Sequence, residues 1–448
     1  MIVLNSSNRK RYQLVYSYIC QLLEWQWLAV ILALMLTGLG AALTGMLFKT
    51  GVNWLDNWRV QLSSELPPLI VLPALGMGGG LISGWLVASL APAASGSGIT
   101  HIMGFLRHRV VPMGLQVGLV KLIAGVVAIG SGFPLGPEGP AVQMGGSVAW
   151  QVAKWLRAPV AFRRAIVAAG SGAGIAAVFS APIGGFVYAV EELLHSTRPV
   201  VLLLVIITTF WADAWADVLT LLGLSSRAGL HSTLGFQLER EYNLPVQFLP
   251  VDLIYLIGLG CITGLLAELY CRYVLLMQRY GGNWFAGRPI LRTALSGAII
   301  GSFYAMLPNI FHNSTELQHL VADSKADASM ALTIFVVLFF STGLAAASGA
   351  PGGIFAPMLT LGGAIGLACG GWTEIFTGYV PSTYVFAGMG AFVAGCSRTP
   401  ITAMFLAFAL TKNLLILKPI LVSCLISFLV ARAFDQRSIY ERQMIIER

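Results

Sequence analysis

A chain of 448 residues that is 57% hydrophobic, 10% charged and +8 in net charge, with a mean hydropathy of +0.79, lies far from the globular norm of about 25% charged residues. The stretches 25–48, 66–106, 165–190, 293–315, 328–373 and 375–397 contain no Asp, Glu, Lys or Arg, and spanning lipid takes about 20 mostly apolar residues. A soluble enzyme is excluded, and an all-α membrane protein is expected.

In chain order, the apolar segments expected to be helical are 26–48, 68–90, 112–130, 140–156, 164–194, 199–222, 250–279, 290–307, 329–347, 357–377, 383–411 and 413–434. Residues 1–24 carry no small-residue cleavage site behind a short apolar core and are expected to be retained. Clusters such as Arg9, Lys10 and Arg11, or Arg157, Arg163 and Arg164, lie beside apolar runs. They read as cytoplasmic anchors under the positive-inside rule rather than as nucleic-acid contacts, and place the N-terminus in the cytoplasm. The most polar stretch, Ser225 to Gln247, separates a first half, 25–224, from a second, 250–434, so 225–249 is read as the loop between them. The tail 435–448 is short, and no appended regulatory domain is expected. Cys20, Cys261, Cys271, Cys369, Cys396 and Cys424 are scattered without a CxxC pair and read as reduced packing residues.

The 50 glycines exceed the usual 7% or so. In lipid an unpaired backbone N–H or C=O costs several kcal/mol, so broken helices persist only inside protein or beside a watery cavity. The breaks also repeat. At an offset of 217 residues, 131–149 matches 348–366 at seven of 19 positions, where composition alone gives roughly one or two. At 218, Gly170, Gly172 and Pro182 fall on Gly388, Gly390 and Pro400. Glycine and proline carry most matches, so what is duplicated is a backbone break followed by a helix start, which transporters commonly pair near the membrane midplane.

Three breaks could carry chemistry. Gly136-Pro137-Glu138-Gly139-Pro140 reads as a helix N-terminus with uncovered N–H groups, a ready anion site that the Glu138 carboxylate could itself occupy; the plainer reading is a glutamate complementing the helix dipole. Its repeat partner, Gly352-Gly353-Ile354-Phe355-Ala356-Pro357, has Phe355 where the first copy has Glu138. In Ser95-Gly96-Ser97-Gly98-Ile99-Thr100 the Ser97 hydroxyl could donate to an anion or only cap a helix. Lys121 sits inside an apolar run, where it is either functional or snorkels to an interface. Glu191 and Glu192 end a helix about 100° apart, so one can face the interior while the other faces outward. Ser97 and His101 have helical spacing, but an intramembrane protease would also need an orienting acid and an oxyanion hole, and neither is evident.

The three breaks together resemble the CLC family of chloride channels and proton-coupled chloride transporters, whose motifs GSGIP, GREGP and GxFxP stand here, in the family's order, as Gly96 to Thr100, Gly136 to Pro140 and Gly353 to Pro357. The resemblance covers nearly the whole chain. It implies a two-repeat inverted bundle of broken, tilted and re-entrant helices, assembled as a homodimer in the inner (cytoplasmic) membrane, with one anion path per subunit. It further implies a gating and proton-transferring Glu138, an internal proton-transfer residue at Glu192, and anion ligands at Ser97, Tyr440 and the backbone of Ile354 and Phe355. Lys121 matches a family lysine that would add positive potential. The implied function is chloride/proton exchange with no metal or cofactor beyond the transported ions; the alternative is a chloride channel gated by Glu138 without obligatory proton coupling. Two departures stand out: Pro137 replaces the arginine of GREGP, and Thr100 and His101 replace the usual proline and glutamate after GSGI.

Overall fold

The computed structural model describes residues 6–195, 198–223, 252–322, 326–377, 382–411 and 413–446, with side chains of the first helix from Trp27 onward. The 225–249 loop and the side chains of Arg9, Lys10, Arg11 and Cys20 lie outside this set.

The first half runs through α1 (Ser6–Glu65), α2 (Pro68–Leu90), α3 (Ile99–Leu106), α4 (Leu115–Gly130), α5 (Glu138–Trp155), α6 (Val160–Phe179), α7 (Pro182–Tyr188) and α8 (Pro199–Leu221). The second holds α9 (Asp252–Trp284), α10 (Pro289–Ala305), α11 (Ser314–Ala322), α12 (Ala328–Ser348), α13 (Phe355–Thr377), α14 (Ser382–Ser397), α15 (Pro400–Thr411), α16 (Leu417–Phe434) and α17 (Ile439–Ile446). Among the described residues there is no strand beyond one isolated bridge. Among the described residues, eight helical stretches are long and apolar enough to cross a membrane. Exposed Leu69, Ile70, Leu203 and Ile254 face outward, as a surface solvated by lipid requires.

Prolines and left-handed residues set the breaks. The expected helix 164–194 divides, because Ser180 adopts φ 48° before Pro182 starts α7; 383–411 divides in the same way, with Arg398 at φ 62° before Pro400. Proline cannot continue a helix through its own position, but it opens one without losing a bond. Ser180 and Arg398 are themselves 218 residues apart, so the duplication reaches backbone torsions that residue identity hides. The eight-residue α3 and α17 were not among the expected segments, being too short to give a span signal.

The repeats meet at their breaks. Gly136 N donates to Gly353 O at 2.7 Å, and Gly353 N donates back to Gly136 O at 2.8 Å. A reciprocal antiparallel pair between residues 217 apart places a local two-fold axis between the copies, so the halves are inverted. Behind each break the helices pack backbone to backbone: a Cβ on Gly145 would strike Gly170 O, and one on the equivalent Gly362 would strike Gly388 O. Such small-residue contacts drive close packing in lipid, where no hydrophobic effect separates helix from solvent.

One face gathers basic groups: Arg107 pairs with Glu441, Arg164 contacts His108, and Arg398 and Arg432 line a cavity with Glu191, Glu192 and His195. Basic groups of this kind are favoured on the cytoplasmic side of a membrane. Here Glu268 of α9 receives Arg398 at 2.7 Å and Arg442 at 2.5 Å. Buried ion pairs are weak evidence of stability, because desolvation offsets much of their attraction. This one fixes the place of α17.

Candidate functional site

The breaks at Gly136, Gly353 and Ser97 converge. Gly96 N donates to Gly349 O at 3.0 Å and Gly352 N to Gly96 O at 3.1 Å, which ties the Ser97 turn to the second repeat. The amino ends of α3, α5 and α13 therefore meet in the interior, bringing their partial positive charges and unpaired N–H groups together without a full opposing charge.

Glu138 fills this convergence. It is 1% exposed, and its Oε1 accepts a 2.5 Å hydrogen bond from Phe355 N, so a first-repeat carboxylate caps the helix of the second. Glycines make the room: a Cβ on Gly136 would strike Glu138 Oε2, and one on Gly353 would strike Oε1. Phe355 closes one side, edge-on to Phe179 with ring centroids 6.1 Å apart. Ile354 is buried beside it.

Ser97 lies against the same cradle, 2.9 Å from the position a Cβ on Gly139 would take. Its Oγ is buried and unpartnered. Helix α3 starts only at Ile99, after Gly98 at φ 85°, so Ser97 is not on a helical face with His101 and no dyad forms. Thr100 occupies the second helical position, where proline is also tolerated, so this departure leaves the helix entry intact. Lys121 does not snorkel. It is fully buried, and its Nζ donates to Gly96 O at 2.5 Å and Ala94 O at 3.1 Å, holding the turn that presents Ser97.

Tyr440, on α17, is fully buried with its hydroxyl unpartnered and lies within electrostatic reach of both Glu138 and Glu192. Glu192 is 2% exposed and accepts from Ser438 Oγ at 3.0 Å. Its neighbour points elsewhere: Glu191 accepts from Thr402 N and Thr402 Oγ1, both at 2.7 Å, and caps α15. A π-helical turn, Ala189–Leu194, carries both.

Sequence reasoning missed three residues of this region. Tyr188 is buried with an unpartnered hydroxyl and, like Tyr440, feels the charges of both Glu192 and Glu138; it stands four residues before Glu192, on the same face. Lys49 is buried in α1 and donates to Val178 O at 3.3 Å, satisfying a carbonyl where α6 ends. Gln143 donates to Ala93 O at 2.6 Å behind Ser97. An aromatic residue, a lysine and a glutamine in apolar helices carry no spacing signal. Only the charge of Lys49 could have flagged it.

Ser97 Oγ, Tyr440 Oη and Glu138 Oε2 are all buried polar atoms without a protein partner, although more than 90% of such groups in native proteins have one. The sequence profile described as voltage gated chloride channel matches residues 79–432. The chain belongs to this family. It is 30% identical over 430 residues to the H(+)/Cl(-) exchange transporter ClcA of Klebsiella pneumoniae (strain 342), covering 92% of this chain and 88% of that one. The transporter of the same name from Cronobacter sakazakii is 31% identical over 432 residues, again covering 92% and 88%. Among solved structures, a slow cyanobacterial Cl⁻/H⁺ antiporter superposes with a TM-score of 0.83 at 27% identity, over 93% of this chain and 97% of that one. A CLC-type fluoride/proton antiporter, at 18% identity and a TM-score of 0.73 over 93% and 98% of the two chains, shares the fold.

Proposed function

We propose that this protein exchanges chloride for protons across the membrane, and that Glu138 and chloride compete for one cradle. The observation that carries this reading is the Glu138 carboxylate bonded to Phe355 N while the buried Ser97 and Tyr440 hydroxyls have no partner. Moving a bare anion into lipid costs on the order of 20 kcal/mol by the Born estimate. Backbone N–H groups of Ile354 and Phe355, with the two hydroxyls, offset that cost and still release the ion, since none bears a full charge. Ionised Glu138 holds the cradle as a tethered anion. Chloride displaces it, and a proton on the displaced carboxyl neutralises it and crosses with it.

Glu192 accepts protons from the cytoplasmic cavity it lines with His195 and Arg432, and Tyr188 and Tyr440, each within electrostatic reach of both Glu192 and Glu138, are hydroxyls able to pass them on. Lys121 contributes positive potential and fixes the Ser97 turn. A channel of the same architecture has no use for a buried carboxyl at Glu192, which disfavours the alternative. We further propose a homodimer in the inner membrane with one path per subunit, and halves divided as 25–224 and 250–434. The relatives named as exchange transporters support the coupled reading.

The test is flux from liposomes holding the purified protein, with chloride and pH recorded together. A chloride gradient should drive protons in the direction opposite to chloride movement, at a proton-to-chloride ratio that stays fixed as the gradient varies, whereas a gradient of a non-transported anion should drive none. Chloride movement with no proton movement would return the channel reading.

A further inference from the structure

Above Glu138, on the face opposite the cytoplasmic arginines, a cavity of about 70 Å³ reaches Gly136, Pro137 and Pro357. That is several times the roughly 10–15 Å³ one water needs. Of the described residues lining it, Arg59 is the only Lys or Arg. Its other ionisable neighbours there are Asp56, His312 and Tyr304.

Arg59 comes from the far end of α1 and is 5% exposed. It bonds Asp56 through Nη2, yet its Nε is buried with no partner. A guanidinium presents five donors in a fixed fork, and an orphaned buried donor calls for a water or an ion. The guanidinium rests on Gly132, where a Cβ would lie 3.5 Å from its Nη1 and φ is 109°. The repeat equivalent, Gly349 at φ 77°, also has an arginine over its open face, but Arg292 there donates through Nε to Ser348 O at 2.8 Å. Of the two arginines, only Arg59 keeps Nε free. It also stands in the mouth where Pro137 has taken the place of a motif arginine.

We infer that Arg59 forms an outer capture site for a small monovalent anion, with Asp56 as the competing acid and with the Glu138 cradle as the next station inward. The inference rests on the anion path proposed above but not on its coupling to protons. A single fixed cation at a narrow mouth raises the local anion concentration. Its pairing with Asp56 keeps it from holding the ion too tightly to pass on.

The test combines diffraction from crystals soaked in bromide with chloride flux from liposomes. Wild type should show an anomalous peak beside the Arg59 guanidinium that is absent in Arg59→Gln. The chloride concentration for half-maximal flux should rise in Arg59→Gln on the order of tenfold, the weight of one charge-assisted hydrogen bond, at an unchanged proton-to-chloride ratio. Pro137→Arg added to Arg59→Gln should restore it, and Asp56→Asn alone should lower it. If Arg59→Gln fails to fold because Asp56 is left unpaired, the double variant Arg59→Gln/Asp56→Asn takes its place. Half-saturation unchanged in whichever variant folds, or no bromide at Arg59 in wild type, would overturn the site. Absence of proton coupling with the Arg59 effects intact would instead sink only the exchanger reading.

Discussion

The breaks at Gly136 to Pro140 and Gly353 to Pro357 are copies of one backbone with different occupants. Each contributes a glycine to the reciprocal pair, each opens a helix toward the interior, and each has a proline in the first turn. The first copy supplies a carboxylate, Glu138, and the second receives it at Phe355 N. Duplication thus produced two open helix ends, and one side chain made the pair asymmetric: in the proposed exchange one copy offers the site and the other its tethered competitor. A symmetric pair could bind an anion but would have nothing to link it to a proton.

The largest effect should come from removing the asymmetry. Glu138→Gln keeps the shape of the side chain and cannot titrate, so chloride-driven proton movement should fall to the protein-free level while chloride still crosses. Proton pumping that survives would detach the carboxylate from coupling. Glu192→Gln should abolish proton movement as well, but leave any effect of external pH on chloride flux in place, since Glu138 is intact; loss of both would merge the two roles.

Narrowing the shared cradle comes next. Gly353→Ala would place a Cβ against Glu138 Oε1 and 2.8 Å from Gly139 N, and overpacking of this kind typically costs about 1–3 kcal/mol. Chloride flux should drop and its dependence on pH should weaken together; a fall in flux with pH dependence unchanged would show that the carboxylate does not sit there. Tyr440→Phe removes one neutral donor, worth about 0.5–1.5 kcal/mol. Calorimetry should find chloride bound roughly two- to tenfold more weakly, and equal affinity would remove Tyr440 from the site. Ser97→Pro should raise nitrate transport relative to chloride, because losing a hydroxyl donor penalises the more strongly hydrated ion most. The smallest effect belongs to Glu191→Ala. It uncaps α15 at about 0.5–2 kcal/mol, lowering thermal stability while leaving the proton-to-chloride ratio as it was.

Much of this site was legible in the sequence because its working parts are backbone. Glycine and proline mark where N–H groups are left open, so Gly136, Gly353 and the Ser97 turn could be placed before any fold was known. Glu138 stood out by lying among them. What stayed hidden depends on direction rather than type. Arg398 gives no sign that it turns left-handed, so the break before Pro400 was read as continuous helix. Tyr188 looks like any aromatic in an apolar run until the fold buries its unpartnered hydroxyl within electrostatic reach of two carboxyls. Arg59, near the end of a helix of 60 residues, belongs to no motif or repeat in the sequence, and only the fold lays it over Gly132.

The central claim is that carboxylate and chloride take turns in one cradle, and chloride binding measured by calorimetry across a range of pH tests it most directly. Ionised Glu138 occupies the site and protonation frees it, so the two binding events are linked. Chloride should bind more tightly as pH falls through the titration of Glu138 in the wild type, and with one pH-independent affinity in Glu138→Gln. A wild-type affinity that is flat over that range, or one that weakens as pH falls, would contradict the account.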